Sequence, residues 1–165
     1  MHLGSKEIKS LFHLDHNVTY LNHGSFGACP KELLNTQFKL QKELEKEPVK
    51  HLAFDIVKNL EKSRIALSNY VNCDKDDVVY FPNPSTALNT VLRSLKLEKE
   101  DEVLSTNHEY GAMDKAWSYL SKKIGFKYIN QKISVPLTTK DFFIKEFIKG
   151  ITKKTRVIFL SHITS

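Results

Sequence analysis

Ser85 and Thr86 directly follow Pro82-Asn83-Pro84, and two adjacent hydroxyls at the start of a helix can seat a phosphate. A helix start exposes unpaired backbone N–H groups with a partial positive charge, to which hydroxyls add further donors. The dipole itself contributes only ~0.3–1 kcal/mol, so tight binding needs contacts from elsewhere. Two other polar stretches offer them. Thr106-Asn107-His108-Glu109-Tyr110 presents the aromatic face of Tyr110, and Ser161-His162-Ile163-Thr164-Ser165 presents the hydroxyls of Thr164 and Ser165. A flat, phosphorylated heteroaromatic ligand would use all of these groups. The Pro82 to Thr86 stretch also suits an ordinary strand-to-helix connection with Ser85 or Thr86 as its cap. No Gly-x-Gly-x-x-Gly follows a strand and no Gly-Lys-Ser/Thr loop is present, so dinucleotide and P-loop sites lose support.

The elements that must position these residues alternate between strand and helix. Val78-Val79-Tyr80-Phe81 reads as a buried strand that two nearby prolines must end. Leu88, Val91, Leu92 and Leu95 then fall at the spacing of a helix with one apolar face. Glu102 to Ser105 reads as a second strand, and Met113, Ala116, Trp117, Leu120 and Ile124 as the next helix. A third strand begins near Phe126. Thr139 can cap a helix that buries Phe143, Phe147, Ile148 and Ile151, and Val157 to Leu160 forms a last apolar strand. The pattern predicts an α/β fold of three αβα layers around a mainly parallel sheet of four strands. Ligands of such sheets collect beyond the carboxyl ends of the strands, where all three polar stretches lie. Earlier in the chain, Leu33, Leu34, Phe38 and Leu44 mark a helix from about Lys31 that Pro48 should end. Ala53, Val57, Leu60, Leu67 and Val71 mark the apolar face of another. Residues 1–75 thus read as an N-terminal segment with helices, and residues 76–165 as the sheet-containing part.

The totals narrow the classes of function. The 165 residues are 41% hydrophobic and 27% charged, the balance of a globular domain rather than a disordered one. The net charge of +6 comes from basic residues spread along the chain, without a nucleic-acid motif, so no nucleic-acid partner is expected. Cys29 and Cys73 form neither a disulfide framework nor a paired zinc motif, and a reducing compartment follows. His13 and His16 lack the further ligands a metal would need. No apolar run approaches the length of a membrane span and the N-terminus does not read as a signal peptide. A cytoplasmic protein with no membrane association is expected.

At this point the chain resembles the class V aminotransferase family of pyridoxal-phosphate enzymes, most closely its isopenicillin N epimerase-like branch. The resemblance rests on Tyr20-Leu21-Asn22-His23-Gly24-Ser25-Phe26-Gly27-Ala28 with Pro30, and on Pro82 to Val91. Glu109-Tyr110 with Ala112 and Trp117, and Ser161 to Ser165, complete it. It implies a fold type I large domain and pyridoxal 5'-phosphate as cofactor, with the phosphate at Ser85 and Thr86. Tyr110 matches the ring that stacks on the pyridine, although a tyrosine at a helix start can also pack its edge on the core. Ser165 or Thr164 matches the polar position near the cofactor's phenolic oxygen. Asn22, His23 and Gly24 match the segment that helps receive the substrate carboxylate, or else form a Gly-rich turn into the first helix. Pro84 departs from the small residue usual at its place and removes one N–H.

The resemblance further implies an amino-acid substrate, a homodimer, and a reaction at the α-carbon: epimerisation, transamination or carbon–sulfur cleavage. It also implies that the lysine linked to the cofactor and the acid paired with the pyridine nitrogen follow the segment matching His162. Neither has a counterpart here. Lys153 and Lys154 lie before the last strand, at the opposite end from the cofactor loops. The chain therefore reads as an N-terminal fragment, inactive alone, with Val78 to Phe81 short of neighbours and Val157 to Leu160 an exposed apolar edge. A stand-alone α/β module for a phosphate-bearing ligand or a partner chain is the other reading.

Overall fold

The computed structural model describes residues 4–164, so Ser165 lies outside the described residues. The chain divides into two compact units, residues 1–79 and 80–165.

The first unit is helical. Helix α1 (Ser5–Ser10) is followed by a bridge between Phe12 and Pro30, and α2 (Lys31–Lys46) begins directly after that proline. Glu47 leaves helical geometry just before Pro48, after which a π-helical turn (Lys50–Asp55) runs into α3 (Ile56–Val71). Asn72 ends α3 with a left-handed φ of 57°, a conformation asparagine tolerates better than most side chains. The apolar faces that the spacing predicts do form, but they are not buried. Phe38 is 57% exposed and Val57 72%, and no described residue of this unit supplies a facing apolar layer.

The second unit holds the sheet. Helix α4 (Pro84–Ser94) precedes β1 (Glu102–Thr106), α5 (Gly111–Ile124), β2 (Lys127–Gln131), α6 (Lys140–Ile148) and β3 (Thr155–Ile158). The strands are parallel in the order β2-β1-β3. Every residue of β1 is buried, as a central strand covered on both faces requires. Val103 packs with Leu92, Trp117, Leu120 and Phe126 under α4 and α5, whereas Leu104 packs with Ile133 and Phe147 under α6. Three layers result. The chain leaves β1 for one neighbour and returns past it to the other, and the two crossover helices lie on opposite faces, as a single crossover hand demands.

Three expectations need correction. Val78 to Phe81 is not a strand. Val78 is extended, with φ −99° and ψ 123°, but among the described residues no strand pairs with this segment, so the sheet has three strands rather than four. Ile148 and Ile151 are 53% and 44% exposed, because α6 buries only the side that carries Phe143 and Phe147. β3 starts two residues earlier than the apolar run and ends at Ile158. As expected, β3 lies at an edge of the sheet, with Ile158 51% exposed.

Between α6 and β3 the backbone passes close beneath the core. A Cβ at Gly150 would stand 2.6 Å from Leu104 Cδ1 and 2.8 Å from Gln131 Oε1, so only glycine fits without a shift. No helix among the described residues is long and apolar enough to cross a membrane.

Candidate functional site

Because β1 and β3 are parallel neighbours, their carboxyl ends reach the same side of the sheet, and buried polar groups join them there. Glu109 is 9% exposed. Its Oε1 accepts from the Thr106 hydroxyl at 2.8 Å, and its Oε2 accepts from the Ser161 amide at 2.9 Å and the Ser161 hydroxyl at 2.6 Å. The Thr106 hydroxyl in turn accepts from the His108 amide at 3.2 Å, which shapes the turn after β1. That turn is fastened to the exit of β2 as well. Asn107 Oδ1 accepts from the Ile133 amide at 2.7 Å, and His108 Nε2 lies 2.7 Å from the Ile133 carbonyl. These bonds satisfy polar groups that would each cost about 1–3 kcal/mol if buried without a partner.

Beside this network lies an open cavity of about 990 Å³. Thr106, His108 and Glu109 form one wall, Ser161 to Thr164 another, and Ile133, Val135 and Leu137 to Lys140 with Phe143 the third. Lys140, in the first turn of α6, stands on that third wall. Of the residues expected to meet a cofactor, Thr164 lines the cavity, while Ser85, Thr86 and Tyr110 do not.

Tyr110 is the N-cap residue of α5 and is 53% exposed. Its carbonyl accepts from the amides of Met113 and Asp114 at 2.8 and 3.2 Å, and its ring has no aromatic partner among the described residues. The first turn of α5 is tied to β2 by Asp114, whose Oδ1 accepts from the Tyr128 hydroxyl at 2.5 Å and from Asn130 Nδ2 at 3.0 Å. Burial, and then that hydrogen bond, push the Tyr128 phenol well above its ordinary range.

At the start of α4 the cap is Asn83, not Ser85 or Thr86. Asn83 Oδ1 accepts from the Thr86 amide at 2.8 Å and the Thr86 hydroxyl at 3.0 Å. Pro84 at the first helical position has no N–H to give, and its fixed φ suits that place. Both donors of Thr86 are therefore engaged. The Ser85 amide and hydroxyl carry no partner among the described residues, and the Ser85 carbonyl accepts from Asn89 Nδ2 at 2.9 Å. An amide and a hydroxyl on one residue, at the positive end of an 11-residue helix, fit a phosphate oxygen.

Asn22, His23 and Gly24 belong to the first unit, where they form an exposed turn. The His23 ring meets Tyr20 edge-on at 5.0 Å and Phe12 at 5.5 Å. The Asn22 carbonyl accepts from the Phe26 amide at 3.0 Å, and the Tyr20 hydroxyl donates to the Phe26 carbonyl. A Cβ at Gly24 would meet nothing, so the turn itself does not require glycine there. Lys153 and Lys154 precede β3 as expected. The Lys154 ammonium lies 3.2 Å from Glu100 and holds its carboxyl below the usual range.

Sequence reasoning missed Asn83 as the cap, residues 133–140 as a cavity wall, and the bonds from Glu109 to Ser161. Asn83 was open to recognition, since asparagine three residues before an amide is a standard capping arrangement. A bond across 52 residues leaves no local signal.

The family model described as Aminotransferase class-V matches residues 19–165. The chain belongs to the class-V aminotransferase family. Among curated relatives, it is 26% identical to an L-cysteine desulfhydrase of Arabidopsis thaliana, over 99% of this chain and 39% of that protein. It is 24% identical to the isopenicillin N epimerase of Streptomyces clavuligerus, over 97% of this chain and 40% of that one. The chain thus spans about two fifths of the length of these relatives. The solved cystine C–S lyase C-DES, in complex with its product cysteine persulfide, shares the fold. Its TM-score is 0.82 at 24% identity, over 90% of this chain and 39% of that one. The fold is that of type I pyridoxal-phosphate enzymes.

Proposed function

We propose that this chain forms the cofactor-positioning part of a pyridoxal-phosphate enzyme that acts on an amino acid. The observation that carries the reading is the convergence of the β1 and β3 carboxyl ends, which brings the turn before Tyr110 and the segment of Thr164 to one side of the sheet through Glu109. Ser85, joined by Thr86 once Asn83 releases it, would hold the phosphate. Tyr110 would lie against the ring, and Thr164 or Ser165 would donate toward its phenolic oxygen. Asn22, His23 and Gly24, in the segment 1–75 that accompanies the cofactor part at 76–165, would receive the substrate carboxylate. When bound, the cofactor supplies an electron sink for negative charge at the substrate α-carbon.

These residues bind and orient; they do not move protons. Lys154 is paired with Glu100 at the other end of the sheet, and no acid of this chain is assigned to the pyridine nitrogen. We therefore assign the proton-transferring lysine and that acid to residues beyond these 165, and expect the chain alone to be inactive. The relatives, a desulfhydrase and an epimerase, favour carbon–sulfur cleavage or epimerisation over transamination. In the whole enzyme we expect a homodimer, for which the exposed Phe38, Phe54 and Val57 supply apolar surface.

The test uses pyridoxine 5'-phosphate, which has the ring and phosphate but no aldehyde, so that neither Lys140 nor a surface lysine can trap it covalently. Induced circular dichroism of the ring should saturate with the purified chain and weaken about tenfold in Ser85→Ala, the loss expected for a charge-assisted hydrogen bond. A folded chain that gives no saturable signal overturns the reading of these residues as a cofactor seat. Turnover of L-cysteine by the chain with pyridoxal phosphate would overturn the assignment of the proton transfers.

A further inference from the structure

We infer that Glu109 is a positioning residue for the cofactor ring, acting through the Ser161 to Thr164 segment; the inference rests on the cofactor reading above. Glu109 is buried and lines the cavity, yet no lysine or arginine pairs with it among the described residues. Three donors compensate it instead, and they come from two strand ends. The Thr106 hydroxyl belongs to β1, while the Ser161 amide and hydroxyl lie just after β3. Oε2 alone receives both bonds from Ser161, so the carboxylate holds the first residue of the segment by backbone and side chain together.

The sequence on either side gives this clasp its consequence. Tyr110 is the next residue, and its ring is the exposed face offered to a heteroaromatic ligand. Thr164 follows Ser161 by one short turn and lines the same cavity as Glu109. The β3 exit beyond Ile158 has few other ties to the sheet: the Phe159 amide donates to the Leu104 carbonyl at 2.9 Å, and the Phe159 carbonyl accepts from the Ser105 hydroxyl at 2.8 Å. After Phe159, the Glu109 bonds are the hydrogen bonds that hold this segment among the described residues. A glutamate at this position sets where the Thr164 hydroxyl stands relative to the residue that carries the ring face.

Glutamine keeps one oxygen, which can still accept both bonds from Ser161, and its NH₂ can donate to the Thr106 hydroxyl. Alanine keeps none. The test compares Glu109→Ala and Glu109→Gln in the full chain with two probes. Pyridoxine 5'-phosphate, read by induced circular dichroism, reports ring and phosphate together. Inorganic phosphate, read by the shift of the Ser85 amide resonance, reports the phosphate seat alone. Glu109→Ala should lose about tenfold in affinity for the first probe, and Glu109→Gln should recover most of it. The response to inorganic phosphate should be unchanged in both. Hydrogen exchange at the Ser161 amide should speed up in Glu109→Ala and stay slow in Glu109→Gln.

An equal loss for both probes would mean general damage and overturn the inference, as would wild-type affinity for the ring in a folded Glu109→Ala. If Glu109→Ala does not fold, Thr106→Val and Ser161→Ala remove one bond each, and unaltered ring affinity in both overturns it equally. Failure of the wild-type chain to bind pyridoxine 5'-phosphate would count against the cofactor reading. Binding that depends on Ser85 but ignores Glu109 would count against this inference alone.

Discussion

A phosphate seated at Ser85 and Thr86, as proposed, would compete with Asn83 for the same donors. Asn83 Oδ1 takes the Thr86 amide at 2.8 Å and the Thr86 hydroxyl at 3.0 Å, and a phosphate seated at Ser85 and Thr86 would need both. Replacing Asn83 by alanine removes the cap and should destabilise the ligand-free chain by about 1 kcal/mol, the usual cost of losing an N-cap side chain. If Asn83 must withdraw before the ligand can bind, the same ~1 kcal/mol opposes binding in the wild type and is absent in the variant. Affinity for pyridoxine 5'-phosphate should then rise about fivefold in Asn83→Ala, while urea unfolding of the free chain shifts to lower denaturant. At saturating ligand the stability difference should nearly vanish, because phosphate oxygens take over the acceptor role. Titration followed by urea unfolding, with and without ligand, measures all three quantities. A fall in affinity in Asn83→Ala would refute the competition and make Asn83 a ligand in its own right. An unchanged affinity would show that Thr86 gives nothing to the phosphate.

Two further outcomes follow from packing and ionisation. Gly150→Ala should destabilise the second unit by ~1–3 kcal/mol through overpacking against Leu104 and Gln131. Gly111→Ala, where an added Cβ meets nothing, should not; equal effects in thermal unfolding would contradict the close approach. Tyr128 should ionise well above the ordinary phenol range in an ultraviolet titration, because burial and Asp114 hold its proton. Its folded-state pKa is raised, so its contribution to stability is complete below the ordinary phenol value of about 10 and declines as pH climbs beyond that toward the folded value. Ionisation of Tyr128 at the ordinary phenol value would contradict this.

What could be read from the sequence depended on how local the cause was. The helix capped by Thr139 is visible in one stretch, and its side chain does accept from the Phe142 amide at 3.1 Å. The spacing of Met113, Trp117 and Leu120 likewise identifies three residues that the structure buries in α5. Val78 to Phe81 shows the limit. A β-branched and aromatic run favours extended backbone, and Val78 is extended, but a strand also needs a partner, which no local pattern can supply. The helices of residues 1–79 show the same limit on the apolar side, since periodicity marks a face and says nothing of what covers it. At the candidate site, the sequence offered hydroxyls and an aromatic residue by their chemistry, and of these Thr164 lines the cavity, while the clasp between Glu109 and Ser161 depends on two segments meeting in space. The walls from 133–140 were missed for the same reason.

The clasp also bears on the order in which the molecule assembles. Ser105 bonds Phe159 across 54 residues and Glu109 bonds Ser161 across 52, so the cavity has no second wall until the parallel pairing of β1 with β3 has closed that long loop. Such non-local pairing is slow to form and comes after local helices. A ligand that recognises both strand ends therefore meets only the finished unit. It should lengthen the lifetime of the folded state by slowing unfolding, and leave the rate of folding as it was.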